Sequence, residues 1–402
     1  MISLELTEDL KKSRENMHNL ARDLFRPIAR KYDIEEHTYP KELDILRPPK
    51  PKKPAQEAEK KPVDVKTDKK DKKKPSAPRF DNLIGVLSIE ELCWGDLGLM
   101  LTFPGMGLGN AAIAAVGTPE QKAKFGSRWA AMAITEPEAG SDSASVQTTA
   151  VLDGDEWVLN GEKIFVTSAD RSEIVVVWAN IEPSAGKAGI KSFIVEKGTP
   201  GFKLEHLEHK LGIRASDTGT FVLKDCRVPK ENLLGSPEVK KKQSFAGVMQ
   251  TFDNTRPTVA AMALGVARAA LEFTKEKIEE SGLQLDYTHS SYNMSSLEKE
   301  FYRMESQLEA MRLLIWQAAS MADAGIRNSL QASMCKAKAG KAGTEIVQKC
   351  CEILGPLGYT YQNLAEKWMR DIKITDIFEG TGQIQHLIVA RQLMKLSSKE
   401  LR

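Results

Sequence analysis

Asp376-Ile377-Phe378-Glu379-Gly380-Thr381-Gly382-Gln383-Ile384-Gln385, close to the C-terminal end of this 402-residue chain, carries more information than any other stretch. It sets one carboxylate beside a glycine and a run of small polar residues, at the entry to the apolar segment Leu387-Ile388-Val389-Ala390. A Glu followed by Gly can approach a ligand closely, because the missing side chain lets backbone and ligand touch. Amides at a helix start are free to bind anions or oxygen atoms. The segment could hold a general base and a cofactor together, or simply be a helix N-terminus with an acidic first turn.

Two upstream stretches break this tie. Ala133-Ile134-Thr135-Glu136-Pro137-Glu138-Ala139-Gly140-Ser141-Asp142 is followed by Lys163-Ile164-Phe165-Val166-Thr167-Ser168. Together with Phe378-Glu379-Gly380-Thr381-Gly382-Gln383 they stand in the order and approximate spacing of the acyl-CoA dehydrogenase family. The chain resembles that family from about Leu83 onward. Further matching segments are Arg227-Val228-Pro229-Lys230-Glu231-Asn232-Leu233-Leu234-Gly235, Asp253-Asn254-Thr255-Arg256-Pro257 and Met369-Arg370-Asp371. Several ordered segments weigh far more than one short motif.

Composition narrows the class. The length allows two or three packed units, and no apolar run reaches the roughly 18 residues of a membrane span. The N-terminus, Met1-Ile2-Ser3-Leu4-Glu5-Leu6, has neither the basic start nor the apolar core of a secretory signal. Cys93, Cys226, Cys335, Cys350 and Cys351 are odd in number and lack metal-type spacing, which suits reduced thiols in a cytoplasmic protein. A formal net charge of +2 gives no case for nucleic acid as a partner. From Arg47 to Lys74 the chain is dominated by Pro, Lys and Ala, and the 47–79 segment reads as a disordered or extended insert, a solvated linker rather than a polyanion tether.

The expected architecture is α+β and mostly α. Leu10, Met17, Leu20, Ala21, Leu24 and Ile28 recur at helical intervals, and Leu83 to Trp94 and Ala111 to Val116 again suggest helices. Gly105-Met106-Gly107-Leu108-Gly109 is not a dinucleotide loop, since its third glycine is misplaced, and close helix packing is its expected use. Short β-rich runs then follow: Val146 to Leu152, Trp157 to Leu159, Ile164 to Thr167, Ile174 to Trp178, Ser192 to Val195, Phe202 to Leu207 and Thr220 to Leu223. Asp153-Gly154 and Asn160-Gly161 suit tight hairpins, so the middle reads as an antiparallel unit. Beyond it, Thr255 is expected to cap a helix with Pro257 in its first turn, Ser295 and Glu298 to form a capping box, and Ala332 to Leu354 to form another helix. These runs divide the chain into 1–131 helical, 132–237 β and 238–402 helical. That is the order implied by the resemblance: an N-terminal helical domain, a middle antiparallel β-barrel and a C-terminal four-helix bundle.

The resemblance also implies a chemistry. An acyl-CoA loses a proton from Cα and a hydride from Cβ, giving a trans-2-enoyl thioester, with FAD as hydride acceptor and an electron-transfer flavoprotein as the next partner. Glu379 matches the catalytic base. Relatives that place the base elsewhere carry it where this chain has Thr255, which cannot serve. An ordinary Glu is too weak a base, so its site must be dry enough to raise its pKa. Met132, Ile134, Thr135, Gly140 and Ser141 match a loop along the flavin and pyrophosphate. Phe165, Val166 and Thr167 match a second flavin contact, with Phe165 where many relatives have Trp. Thr381 and Gln383 match contacts to the far part of FAD. Ser141, Asp253, Arg256 and Gly380 match substrate-site positions, and the Glu379 amide together with a flavin ribityl hydroxyl would polarise the thioester carbonyl. No metal is implied, and His206 and His209, read as lying in a polar connection without further ligands, give no zinc site.

Two departures from the family pattern bear on assembly. Relatives lend an Arg-x-x-Phe-Gly motif and a Gln-x-x-Gly-Gly motif to a neighbouring subunit's FAD. Here Glu280-Ser281-Gly282-Leu283-Gln284 and Glu352-Ile353-Leu354-Gly355-Pro356 stand instead. The expected tetramer could therefore be a hetero-oligomer with a related subunit. A flavin oxidase or monooxygenase on the same fold is the alternative enzyme class.

Overall fold

The apolar periodicity at the N-terminus produces a helical arm that turns back on the rest of the molecule. In the computed structural model, which describes residues 5–47, 80–105, 107–239, 246–397 and 400–401 (side chains of 246–254 apart), helix α1 spans Glu8–Leu20. The Thr7 hydroxyl caps it, accepting from the Leu10 amide. A π-helical turn, Ala21–Phe25, leads into α2, Arg26–Ile34, and then a 3₁₀ turn, Lys41–Leu46. Nearly all of the Lys/Pro-rich insert lies outside the described residues. Helices α3 (Asp81–Gly95), α4 (Leu97–Met100), α5 (Leu108–Val116) and α6 (Pro119–Phe125) follow.

The sheet comprises β1 (Ala130–Ala133), β2 (Thr149–Asp153), β3 (Glu156–Thr167), β4 (Ile174–Asn180), β5 (Ile190–Glu196), β6 (Phe202–Leu207) and β7 (Thr218–Pro229). Its order is β1-β4-β2-β3-β7-β6, with β5 on β4. It is not wholly antiparallel, because β1 runs parallel to β4 and β2 touches β4 in parallel at Thr149 and Asn180. Asp153-Gly154 does make the β2–β3 hairpin, with Gly154 at φ 63°. Asn160-Gly161 does not: β3 runs straight through it, and the register against β7 slips there. A side chain on Gly161 would fall 2.3 Å from the Thr148 hydroxyl, so this glycine serves a bulge rather than a turn. The glycines near residue 107 also differ from expectation. Gly107 and Gly109 press against the carbonyls of Ala130 and Ala131, so they seat α5 on a strand and not on a helix.

The remaining helices are α7 (Ala246–Glu280), α8 (Ser296–Asp323), α9 (Ser329–Leu354), α10 (Ala365–Ile372) and α11 (Gly382–Met394). Helix α8 carries the Ser295/Glu298 capping box. Helix α7 begins at Ala246, so Pro257 lies inside it and Thr255 is not its cap. An interior Pro removes one helical hydrogen bond, and the packing of α7 against α3 and α9 sustains the helix across it. One apolar core spans both helical segments: Phe25, Leu87 and Leu97 pack in the same cluster as Leu264, Phe301 and Ile346. The sheet has its own core around Trp157, Val177, Phe193 and Phe221.

Polar bolts join the parts. Lys367 of α10 is buried between Asp96, which caps α4, and Asp371, at 2.5 Å from each. Asp371 also accepts the Ile213 amide from the β6–β7 loop at 2.6 Å. Burial by itself would depress the ammonium, but Asp371 and Asp96 outweigh it and hold the Lys367 pKa above the ordinary range. Arg370 grips Asp33 of α2 through both terminal nitrogens, at 3.0 and 2.7 Å.

Candidate active site

Glu379 sits in a left-handed conformation, φ 55°, and Gly380 follows at φ 90°. The first is uncommon for a non-glycine residue and the second is natural only for glycine, so the pair makes a turn that sequence reading alone did not foresee. The turn is fixed from several sides. Phe378 donates its amide to the Ile374 carbonyl, and the Thr381 hydroxyl caps α11 by accepting from the Ile384 amide. The Gly380 carbonyl accepts from the Lys336 ammonium at 2.5 Å and from the Gln385 side-chain Nε2 at 3.1 Å.

The Glu379 side chain meets little water. Its Oε2 is buried with no hydrogen-bond partner, although the residue as a whole is only half-buried. Burial raises its pKa above the ordinary value, against the opposing pull of the Thr255 hydroxyl, which hydrogen-bonds the carboxylate, and of the Lys336 and Arg256 charges. Arg256 is buried and reaches the Ser333 hydroxyl at 3.4 Å. Lys336, 1% exposed, is pushed down to about 8 chiefly by burial, with Asp376 and Glu379 resisting. The Glu379 segment thus faces α7 and α9 across a small set of charges.

The two loops expected to meet a flavin are clamped together by a second buried pair. The Glu136 carboxylate accepts from the Gln147 amide (2.6 Å), the Thr148 amide and hydroxyl (3.0 and 2.5 Å), and the Lys163 ammonium (2.6 Å). Lys163 is fully buried, pushed down to about 8 by burial, and also reaches the Ile134 carbonyl. The Ile164 amide donates to the Thr135 carbonyl at 2.9 Å. Met132, Ile134, Thr135 and Thr167 are half-buried, Val166 is buried, and Gly140 and Ser141 are exposed. Phe165 is extruded by the β-bulge between Lys163 and Val166, at φ 57° and 61% exposed. A large aromatic ring held out by strained backbone is suited to stack on a planar ligand, and the half-buried hydroxyls of Thr135 and Thr167 beside it suit the polar edge of an isoalloxazine.

A bonded route connects these loops to the Glu379 segment. Ser168 donates its amide to Asp217, whose side chain takes the Asp170 amide and pairs with Arg171. The same β6–β7 loop is held at Ile213 by Asp371, which precedes the Glu379 turn.

Of the other expected residues, Gln383 is exposed and Thr381 acts as a helix cap. The side chain of Asp253 lies outside the described residues. Lys336, Glu136 and Lys163 carry much of the geometry and were not assigned roles from sequence. A lysine inside the Ala- and Gly-rich face of α9 was the available signal for Lys336. For the other two it was their presence in the quoted loops. His206 lies in strand β6 and not in a connection, and His209 has company: its Nδ1 is 3.0 Å from Glu36, with His37 alongside. Glu36 also takes the Lys210 amide and Arg214.

Comparison with known proteins decides the family. Residues 131–226 match the acyl-CoA dehydrogenase middle domain and residues 245–394 the acyl-CoA dehydrogenase C-terminal domain. The short-chain specific acyl-CoA dehydrogenase of Clostridium acetobutylicum is 35% identical over 323 residues, 78% of this chain and 83% of that protein.

The chain belongs to the acyl-CoA dehydrogenase family.

Members of that family are FAD-dependent oxidoreductases. The acryloyl-CoA reductase (NADH) of Anaerotignum propionicum is 36% identical over 292 residues, 71% of this chain and 72% of that protein. The solved butyryl-CoA dehydrogenase of Megasphaera elsdenii superposes with a TM-score of 0.80 at 29% identity, covering 98% of this chain and all of the other. The acyl-CoA dehydrogenase fold expected from the sequence is therefore present, with the curled sheet set between helical segments. Among the described residues no helix is long and apolar enough to cross a membrane.

Proposed function

We propose that this acyl-CoA dehydrogenase removes the α-proton of a short-chain acyl-CoA with Glu379. The observation that carries this reading is the Glu379 carboxylate itself, held on a left-handed turn with one oxygen buried and unpartnered. A carboxylate in so dry a place has a raised pKa and is a stronger base than one in water. Bound FAD supplies the acceptor for the β-hydride.

The chain's own residues divide the remaining work. Phe165, Thr135 and Thr167 orient the flavin, with Met132, Ile134, Val166, Gly140 and Ser141 framing it. Glu136 and Lys163 hold the two loops in register. Arg256 is assigned to the acyl-CoA site, as is Asp253 on the family resemblance alone, and Gly380 lets the substrate approach the base. The Glu379 amide polarises the thioester carbonyl, lowering the cost of charge that develops as the α-proton leaves. Thr381 and Gln383 serve the far part of FAD. The short-chain preference follows the C. acetobutylicum relative, and an electron-transfer flavoprotein is the proposed acceptor of the electrons.

A second reading concerns direction. The reductase relative runs an enoyl-CoA toward saturation, and a Glu379 with raised pKa could return a proton to Cα as well as take one. The test is an anaerobic titration of the purified flavoprotein with acyl-CoAs of increasing length. Bleaching of the flavin by short chains supports the proposal, and no bleaching by any acyl-CoA sinks it. Reoxidation of the reduced enzyme by crotonyl-CoA with net NADH consumption would favour the reductive direction, and oxygen-coupled turnover would favour an oxidase.

A further inference from the structure

We propose that Lys336 is a positioning residue for the base: its ammonium holds the Gly380 carbonyl and so fixes the Glu379-Gly380 turn while favouring the carboxylate. This rests on the reading of Glu379 as the α-proton acceptor.

The surroundings of Lys336 are ill-suited to a lysine. Lys336 lies on the inner face of α9, among Ala332, Cys335, Ala337, Ala339 and Gly340, and is 1% exposed. Burying an ammonium there is costly unless it is paired and hydrogen-bonded. It also stands beside the start of α11, the positive end of a helix dipole, a position that disfavours a cation. Helix stability therefore gives no reason for this charge.

What it touches does give one. Its Nζ lies 2.5 Å from the Gly380 carbonyl, the residue after the base. Gln385 supplies a second donor to the same oxygen, and reaches the Glu379 carbonyl at 3.4 Å. A left-handed Glu followed by a glycine at φ 90° would relax toward ordinary backbone without such restraint. The charged groups that face Glu379 and Lys336 are Arg256 from α7 and Asp376 from the segment before the turn, the latter itself paired to Lys373 at 2.9 Å. Lys336 bonds the backbone of the turn directly, at the Gly380 carbonyl. It can therefore aim the carboxylate and offset its burial at once. Remote positioning of this kind matters because misplacement of a reacting group by about 1 Å can cost a hundredfold in rate.

The test uses the FAD-loaded enzyme as wild type, Lys336→Met and Lys336→Arg. Flavin content, crotonyl-CoA affinity from the flavin spectrum, and the rate of flavin reduction by butyryl-CoA from pH 5.5 to 9 are measured. For Lys336→Met we expect full flavin, crotonyl-CoA affinity within threefold of wild type, and flavin reduction at least tenfold slower. The acid limb of the rate profile should move to higher pH, because a cation that favours the carboxylate has gone. Lys336→Arg should recover a large part of the rate and the wild-type limb. Reduction by Lys336→Met within twofold of wild type, with an unmoved acid limb, would overturn the proposal. So would loss of flavin in both variants, which would make Lys336 part of the scaffold. Failure of wild type to be reduced by any acyl-CoA would instead refute the functional reading beneath it.

Discussion

Replacing Glu379 by Gln should separate what the active site gains from what the fold loses. The substitution keeps shape and volume but removes the proton acceptor. General-base catalysis contributes roughly 10²–10⁴ in rate, or about 2.7–5.4 kcal/mol of barrier, so flavin reduction by butyryl-CoA should slow at least a hundredfold while FAD stays bound. Stability should move the other way. The buried Oε2 has no hydrogen-bond partner, and an unsatisfied buried acceptor costs about 1–3 kcal/mol, more when it is charged. Attraction from Lys336 and Arg256 offsets part of it. A neutral amide forfeits less, and a net gain of about 1 kcal/mol is the expectation. The pH dependence fixes the sign. Burial raises the folded-state pKa above 4.5, so between that value and the folded one the native protein holds a proton that the unfolded chain has released. Wild-type stability declines as pH rises through that window, whereas the Gln variant has nothing there to titrate. The advantage of Gln should grow as pH rises through that window and close toward pH 4.5. Denaturant melts of both flavoproteins at several pH values, beside stopped-flow flavin reduction, test both halves. Reduction within tenfold of wild type would move the base elsewhere. A Gln variant no more stable than wild type at pH 7.5 would mean that the carboxylate is well solvated.

Other expectations follow from the buried pairs and from the motifs that differ. Lys367→Met should leave Asp96 and Asp371 confronting each other without a cation and cost about 3–5 kcal/mol, read as a fall in the denaturant midpoint. Lys163→Met should weaken FAD retention on gel filtration at least tenfold while leaving much of the fold, because Glu136 keeps its donors from Gln147 and Thr148. Undiminished flavin content would detach this pair from the cofactor loops. For assembly, the chain expressed alone should be flavin-poor and recover FAD on co-expression with a related subunit that carries the Arg and Gln-Gly-Gly contacts. A stable, flavin-replete homotetramer would refute this. The structure also tempers one part of that argument, since the exposed Glu352 carboxylate is paired with Lys349 at 2.6 Å and adds little free charge.

Local chemistry made much of this protein legible before its fold was known. Helix α8 announced itself through the Ser295/Glu298 box and the β2–β3 turn through Asp153-Gly154, because capping and positive φ are properties of a few consecutive residues. Where the reading of local signals departed from the structure, tertiary contact had overridden them. Asn160-Gly161 looks like a hairpin, yet β7 pairs with β3 on both sides of it and the glycine makes room for Thr148. Pro257 looks like a helix start, yet α3 and α9 hold α7 intact across it. The sequence by itself determined the family resemblance, and through it named Glu379 as the candidate base and two loops as candidate flavin contacts. Only the tertiary structure decided how dry that carboxylate is, because the groups around it, Thr255, Arg256 and Lys336, come from two other helices far away in the chain. A pKa depends on burial and on charges through space, and neither is encoded in the residues next to Glu379.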